Sequence, residues 1–239
     1  MFSFTDIHSH VLHGVDDGSP DIAKAIETLK NMQRMGVKSL ILTPHFCKRR
    51  GYETSVEKIR NAYLELCDAC VSEYISISLY LGTEMEYSTD AVRYIREGRV
   101  LTLAGSDYLL LEFPPYVSTN TILRACKEII QLGLTPVIAH IERYSSVLSD
   151  PKVLCSLKEL GVKIQVNIRS FCIINFKLRR FLKWLISREM ADYLAGDVHL
   201  SPLERKEIKK CSDFVIKYSS RDYLDRLFNQ NAEKIINGR

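Results

Sequence analysis

No stretch of the chain approaches the roughly eighteen uncharged apolar residues that a membrane-crossing helix needs, so no transmembrane helix is expected. The opening residues, Met1-Phe2-Ser3-Phe4-Thr5-Asp6-Ile7, carry no basic stretch followed by an apolar run, and a signal peptide is not expected either. Charge of one sign is scarce. Lys and Arg number 33 against 29 Asp and Glu, a net of +4, too little for a dedicated nucleic-acid binder. Low-complexity tracts, linkers and internal repeats are missing, so a single domain over residues 1–239 is expected. The cysteines at 47, 67, 70, 126, 155, 172 and 211 are odd in number and irregular in spacing, which fits a reduced cytoplasmic protein with mostly buried thiols.

Several catalytic signatures are absent as well. A cysteine-dependent phosphatase needs Arg six positions after its nucleophile, and those positions hold Glu53, Glu73, Ser76, Leu132, Gly161, Leu178 and Lys217. Cys67-Asp68-Ala69-Cys70 falls inside an expected helix, not at its start, which argues against thioredoxin-type redox chemistry. Neither a Walker-type glycine loop nor a Gly-x-Ser-x-Gly elbow occurs.

What is present is ordinary globular composition, 46% apolar and 26% charged, arranged as an alternation of short apolar runs and helical patterns. Strands are expected at Ser3–Ile7, Val37–Thr43, Ile75–Gly82, Tyr108–Phe113, Thr135–Ala139, Val162–Val166 and Asp192–Ala195. Between them, helices are expected at Ile22–Met35, Val56–Glu73, Thr89–Glu97, Thr119–Leu132, Pro151–Leu160 and Phe176–Arg188, with a helical C-terminal remainder. Ser19 is the expected N-cap of the first helix, with Pro20 at its first position and Gly36 at its stop. Almost continuously apolar strands alternating with helices predict an α/β fold of parallel strands, a TIM-barrel-like (β/α) barrel of about seven units. An open doubly wound sheet is the alternative.

The six histidines are concentrated at strand ends. His8 and His10 follow the first strand, His45 the second, His140 the fifth and His199 the seventh; Glu84 and Glu112 occupy the matching places of the third and fourth. In a parallel barrel these positions share one rim, where such barrels place their chemistry. Residues i and i+2 of a strand point the same way, so His8-x-His10 and Asp197-x-His199 can each grip one ion. Glu112, within Leu109-Leu110-Leu111-Glu112-Phe113, is costly to bury without a cation, a proton or a salt bridge. Asp16-Asp17-Gly18 alone would be a turn, but it lies in the loop over the same rim. His13, in that loop too, is expected to be solvated or to support other groups. The candidate ligands are therefore His8, His10, Asp17, His45, Glu84, Glu112, His140, Asp197 and His199. Imidazoles and carboxylates without thiolates suit Mn, Fe, Zn or Co rather than a structural zinc ribbon. Nine ligands exceed one ion and suffice for two or three, and such a cavity is positive overall, favouring a phosphate ester over a neutral amide or sugar.

These segments resemble the polymerase-and-histidinol-phosphatase (PHP) family of metal phosphoesterases, and within it the bacterial manganese-dependent protein-tyrosine phosphatases of capsule and exopolysaccharide loci. The likeness rests on Asp6-Ile7-His8-Ser9-His10, Val15-Asp16-Asp17-Gly18, Thr43-Pro44-His45, Gly82-Thr83-Glu84, Leu110-Leu111-Glu112-Phe113, Pro136-Val137-Ile138-Ala139-His140-Ile141-Glu142-Arg143-Tyr144 and Gly196-Asp197-Val198-His199. It implies a distorted (β/α)7 barrel with a trinuclear site, most readily manganese, with Fe, Co, Zn or Mg as alternatives. By position it gives His8, His10, Glu84 and Asp197 to one ion. Glu84 bridges to a second ion with Glu112 and His140, and Asp17, His45 and His199 hold the third. It also implies that Arg143 contacts the phosphoryl group. A second family arginine would fall on Glu204, which leaves Arg205, one residue later, as its candidate replacement.

The implied activity is hydrolysis of phosphotyrosine in proteins by water activated at the metals, acting on the tyrosine-rich tail of a bacterial tyrosine autokinase that governs polysaccharide export. Lys48-Arg49-Arg50, just after His45, is either a receptor for acidic residues around the phosphotyrosine or a solvated basic loop. The alternative enzyme is a small-molecule phosphatase such as a histidinol-phosphate phosphatase, and the alternative of another class is a metal-free barrel kept as a binding module. A nuclease is disfavoured because no broad basic track accompanies the site.

Overall fold

Ser39, Leu40, Ile41 and Leu42 pair in parallel register with Ser78, Leu79, Tyr80 and Leu81, and among the described residues every other ladder between strands is parallel too. The structure, a computed structural model, describes residues 3–238. Its strands are β1 (Phe4–Asp6), β2 (Val37–Leu42), β3 (His45–Phe46), β4 (Ser78–Leu81), β5 (Glu84–Glu86), β6 (Tyr108–Glu112), β7 (Thr135–Ile138), β8 (Lys163–Asn167) and β9 (Tyr193–Ala195). The helices are α1 (Ile22–Met35), α2 (Val56–Ser72), α3 (Ala91–Arg96), α4 (Thr119–Ile130), α5 (Ser145–Ser149), α6 (Val153–Glu159), α7 (Phe176–Ser187), α8 (Arg205–Tyr218), α9 (Arg221–Asp225) and α10 (Asn231–Asn237). No helix among the described residues is long and apolar enough to cross a membrane.

The strands form two groups, β1-β2-β4 and β3-β5-β6-β7-β8-β9. Thr43-Pro44 separates β2 from β3, and Gly82-Thr83 separates β4 from β5. The ladder nevertheless runs on, because the Gly82 amide donates to the Leu42 carbonyl at 2.8 Å and the Glu84 amide to that of Pro44 at 3.1 Å. Each pair is therefore one interrupted strand. At the other edge a parallel bridge joins Ser9 to Val198, with the His10 amide on the Val198 carbonyl at 2.8 Å and the Asp197 amide on that of His8 at 3.0 Å. The ring closes as a seven-stranded, TIM-barrel-like (β/α) barrel, as the strand pattern predicts, and the open doubly wound alternative is excluded.

Side-chain alternation sorts the strands into two faces. Leu40, Leu42, Leu109, Leu111, Ile138, Ile164, Val166 and Leu194 face the helices. Ile41, Leu110, Val137, Ala139, Tyr193 and Ala195 fill the barrel instead, capped by Leu103, Ala104 and the α10 residues Ala232 and Ile235. That plug lies at the strands' amino ends, since Asn229 donates to the Ser3 carbonyl at 3.2 Å. The carboxyl ends are left to polar residues. The first helix departs from expectation at its start: its N-cap is Asp21, whose carboxylate accepts from the Lys24 amide at 2.8 Å, not Ser19. Ser19 is buried and its backbone is tied to His10 and Gly14, which holds it in the rim loop before the helix begins. Gly36 does end this helix, at φ 98°.

Candidate metal centre

Leu110 and Glu112 share a face of β6, so the alternation that fills the barrel with leucine carries a carboxylate to its mouth. The same rule brings Glu84 there beside Leu110. His8, His10 and Glu84 are fully buried, with His45, His140 and Asp197 nearly so. His8 Nε2 and His10 Nε2 face each other at 3.2 Å. Glu84 Oε2 lies 3.3 Å from both nitrogens, and Asp197 Oδ1 lies 3.5 Å from both. Glu84 Oε1 meets His140 Nε2 at 2.9 Å, and Glu112 Oε1 stands 3.7 Å from that nitrogen. Glu84 Oε2 also lies 2.9 Å from His45 Nδ1. On the outer side, Asp17 Oδ1 lies 3.4 Å from His45 Nε2 and 3.5 Å from His199 Nε2. The nine side chains singled out in the sequence are thus brought to one rim.

Their grouping is more entangled than the family pattern implies. His10 groups with Asp17, His45 and His199 as well as with His8 and Glu84, and its ring stacks on His199 at 4.0 Å. His45 presents one nitrogen to Asp17 and the other to Glu84 and Glu112.

The donor set fits divalent cations. Glu84 Oε2 is buried among three imidazoles yet accepts no hydrogen bond, an orphaned oxygen that a cation would satisfy. Against burial, the charges of Glu84 and Asp197 hold His8 above its ordinary pKa, and the Asp16 carboxylate that accepts from His10, with Asp197 and Glu84 close by, holds His10 well above. Against the same burial, the imidazoles hold the Glu84 and Asp197 carboxyls well below the usual range. These opposite shifts mark a place where positive charge is favoured. Burial and the adjacent Glu84 push the Glu112 carboxyl up to about 8.

A surrounding layer fixes these groups, most of it at positions outside the nine candidate ligands. Asp16 Oδ2 meets His10 Nδ1 at 2.7 Å and accepts from the His45 amide at 2.9 Å, so the carboxylate beside the candidate ligand aims one imidazole and pins the backbone that carries another. Gln165 Oε1 accepts from the His140 amide at 2.7 Å and lies 3.2 Å from His8 Nδ1, leaving His8 Nε2 free for the cluster. The Gln165 amide donates to Asn167 at 2.8 Å, and Asn167 donates to Asp197 Oδ2 at 2.8 Å. The signal was available, for Gln165 and Asn167 alternate with Ile164 and Val166 in β8 as Glu112 alternates with leucines in β6. His140 and Asp197 both adopt positive φ, 32° and 48°, a strained backbone held where strand gives way to rim. Tyr144 holds the first of these turns, its hydroxyl donating to the Ala139 carbonyl and accepting from the Phe113 amide, each at 3.1 Å.

The two candidate arginines part company. Arg143 Nη2 contacts Asp197 Oδ2 at 2.5 Å, at the edge of the cluster. Arg205 is not brought there: its guanidinium donates to the Arg34 carbonyl at 3.5 Å, on the exposed end of α1. The cause is local. Glu204 and Glu207 form a capping box that starts α8 at Arg205 and fixes that direction. Arg50 arrives instead, with Nη2 at 2.5 Å from Glu112 Oε2 and 3.1 Å from His45 Nδ1. His13 turns away to Glu65 at 3.2 Å. All seven cysteines are free, and none contributes to the cluster.

The profile of the family described as capsular polysaccharide synthesis, CpsB/CapC, matches residues 4–237. The tyrosine-protein phosphatase CpsB of Streptococcus pneumoniae is 29% identical over 240 residues, with 97% of each chain covered. The tyrosine-protein phosphatase YwqE of Bacillus subtilis (strain 168) is 27% identical over 236 residues, covering 97% of this chain and 91% of that one. A crystal structure from work on YwqE and CpsB of the same two organisms, described as metal-dependent tyrosine phosphatases, matches with a TM-score of 0.86. It is 25% identical and covers 98% of this chain and 95% of that one.

Proposed function

The chain belongs to the CpsB/CapC family of capsular polysaccharide synthesis, and from that premise we propose that it is a metal-dependent tyrosine-protein phosphatase. The reading extends to a manganese-loaded cytoplasmic enzyme acting on the phosphotyrosine tail of a bacterial tyrosine autokinase. The observation that carries it is the gathering of nine nitrogen- and oxygen-bearing side chains, without a thiolate, in overlapping groups on one rim, with an orphaned oxygen of Glu84 among them. His8, His10, Glu84 and Asp197 would hold one ion, Glu84, Glu112 and His140 a second, and Asp17, His45 and His199 a third, with His10 and His45 lying between groups. When bound, the ions supply an activated water for in-line attack and charge that offsets the phosphoryl oxygens.

The chain's own residues do the positioning. Arg143 stands at the cluster's edge through Asp197, so its fork can hold a phosphoryl oxygen there. Arg50 is the second such group in place of Arg205. Arg50 now pairs with Glu112; with that carboxylate engaged by a cation, the guanidinium would be left to receive a phosphoryl dianion. Its turn is rigid, with the Cys47 and Tyr52 backbones bridged and Arg49 clamped to Glu86 at 2.7 Å. A tyrosine leaving group has a pKa of about 10, so no strong general acid is required.

The deciding experiment compares hydrolysis of a phosphotyrosine peptide and of histidinol phosphate by the manganese-loaded chain. Preference for the peptide, loss of turnover to chelators and indifference to thiol alkylation are expected. His140→Ala and Glu112→Ala should each lower the rate about 100-fold or more with the fold intact. Preference for histidinol phosphate, or alkylation that stops turnover, defeats the reading.

A further inference from the structure

Between β8 and α7 the segment Ile173-Ile174-Asn175-Phe176 exposes large apolar side chains in near succession: Ile174 is fully exposed and Phe176 is 83% exposed. Such side chains project from the surface instead of lining a groove. Their surroundings are cationic. From Gly161 to Arg188 the chain contains no Asp or Glu. Beside the apolar turn, a cavity of about 210 Å³ between α7 and α8 has Phe171, Leu182 and Phe214 for a floor and Arg179, Lys210 and Lys217 among its walls. Its single acid, Asp213, is taken by Lys209 at 2.6 Å. Lys217 rests against the Tyr218 ring, and Arg179 forms no ion pair with a described carboxylate.

We propose that this face docks on an anionic phospholipid bilayer, with Ile174 and Phe176 entering the headgroup boundary and Arg179, Lys210 and Lys217 gathering lipid phosphates at the cavity. Projecting apolar side chains next to cations that no carboxylate neutralises form the pattern by which a peripheral protein lies on an acidic membrane without spanning it. The surplus of cations around so small an apolar tip favours an acidic lipid surface over a protein partner, which would bury a wider apolar face. The position gives the contact a purpose. Ile173 belongs both to this cavity and to a second one, of about 200 Å³, that Arg143 and Asp197 also line. Docking therefore sets the mouth of the metal centre beside the membrane surface, where a phosphoprotein tethered there could reach it.

Co-sedimentation of the full chain with vesicles of phosphatidylcholine alone, or with roughly a third phosphatidylglycerol, tests this. Binding to the anionic vesicles only is expected, weakening as salt rises. The double variants I174E/F176E and R179E/K217E should each lose at least about tenfold in partitioning, with melting temperature and turnover of a soluble aryl phosphate unchanged. Equal binding to both vesicles, or none to either, overturns the proposal. So does vesicle binding that survives both variants, and so does I174E/F176E breaking a complex with another protein while the native chain ignores lipid. These outcomes do not depend on phosphatase activity, so the proposal and the catalytic reading can fail separately.

Discussion

Asp16 shows how much of the centre depends on side chains that would touch no ion. Its carboxylate sits 2.7 Å from His10 Nδ1, which keeps a proton on that nitrogen and turns Nε2 toward Glu84 and Asp197. Asp16→Asn preserves shape but removes the charge behind the imidazole. It should lower manganese affinity by about 10- to 100-fold, read by calorimetric titration, while circular dichroism stays unchanged. Unchanged affinity would show that His10 needs no such support. At this scale the sequence is legible where one rule suffices. Strand ends share a rim and alternate residues share a face, so the nine donors can be named from position. Asp16 and Arg50 are less legible because they act through bends: a rim loop folds one carboxylate back onto His10, and a tight turn after β3 swings one guanidinium onto Glu112. Arg205 misleads for the converse reason, since a helix cap decides its direction and spacing from Asp197 does not.

Among the elements, the connections that carry ligands are governed by glycine. A Cβ on Gly196 would fall 2.6 Å from Asp6 Oδ2 and 2.9 Å from a Val198 methyl. Asp6 itself accepts the Gly196 amide through both oxygens at 3.0 Å, closing the barrel between its first and last strands. Gly196→Ala must therefore push the Asp197 turn outward or break the bond to Asp6. Either course should cost about 1–3 kcal/mol, measured by denaturant unfolding, with a matching loss of metal binding. A variant with native stability and full metal content would show that the closure tolerates a side chain. Gly18 is more constrained, because its Cβ would overlap the His10 carbonyl at 1.7 Å. The order of strands and helices follows from the apolar period, and most boundaries agree to within a residue or two. The breaks at Thr43-Pro44 and Gly82-Thr83 are not visible in that period. They come from the bend each strand makes as the barrel closes, which the continuing backbone bonds Gly82 to Leu42 and Glu84 to Pro44 reveal.

Across the whole molecule, the barrel divides along its axis into two parts with different sources of stability. The amino end is apolar, with Ile41, Leu110 and Val137 packed beneath Ile235. The carboxyl end gathers the carboxylates of Asp17, Glu84, Glu112 and Asp197 with five imidazoles and buries most of them, an arrangement that is costly without cations. His8 and His10 cannot both carry the compensating charge cheaply, since their Nε2 atoms lie 3.2 Å apart. Cations that bind the folded chain alone must stabilise it by mass action. At a hundredfold excess over the dissociation constant the gain is about 2.7 kcal/mol per site. For a chain of this size that corresponds to a rise in melting temperature of about 5–10 °C. Calorimetry over a manganese series should show the midpoint climbing with concentration and falling back on chelation. Far-UV circular dichroism should stay constant throughout, because the amino-terminal plug holds the barrel without the metals. A midpoint indifferent to manganese would mean that the rim balances its own charge, and a collapse of secondary structure on chelation would mean that the plug alone cannot support the fold.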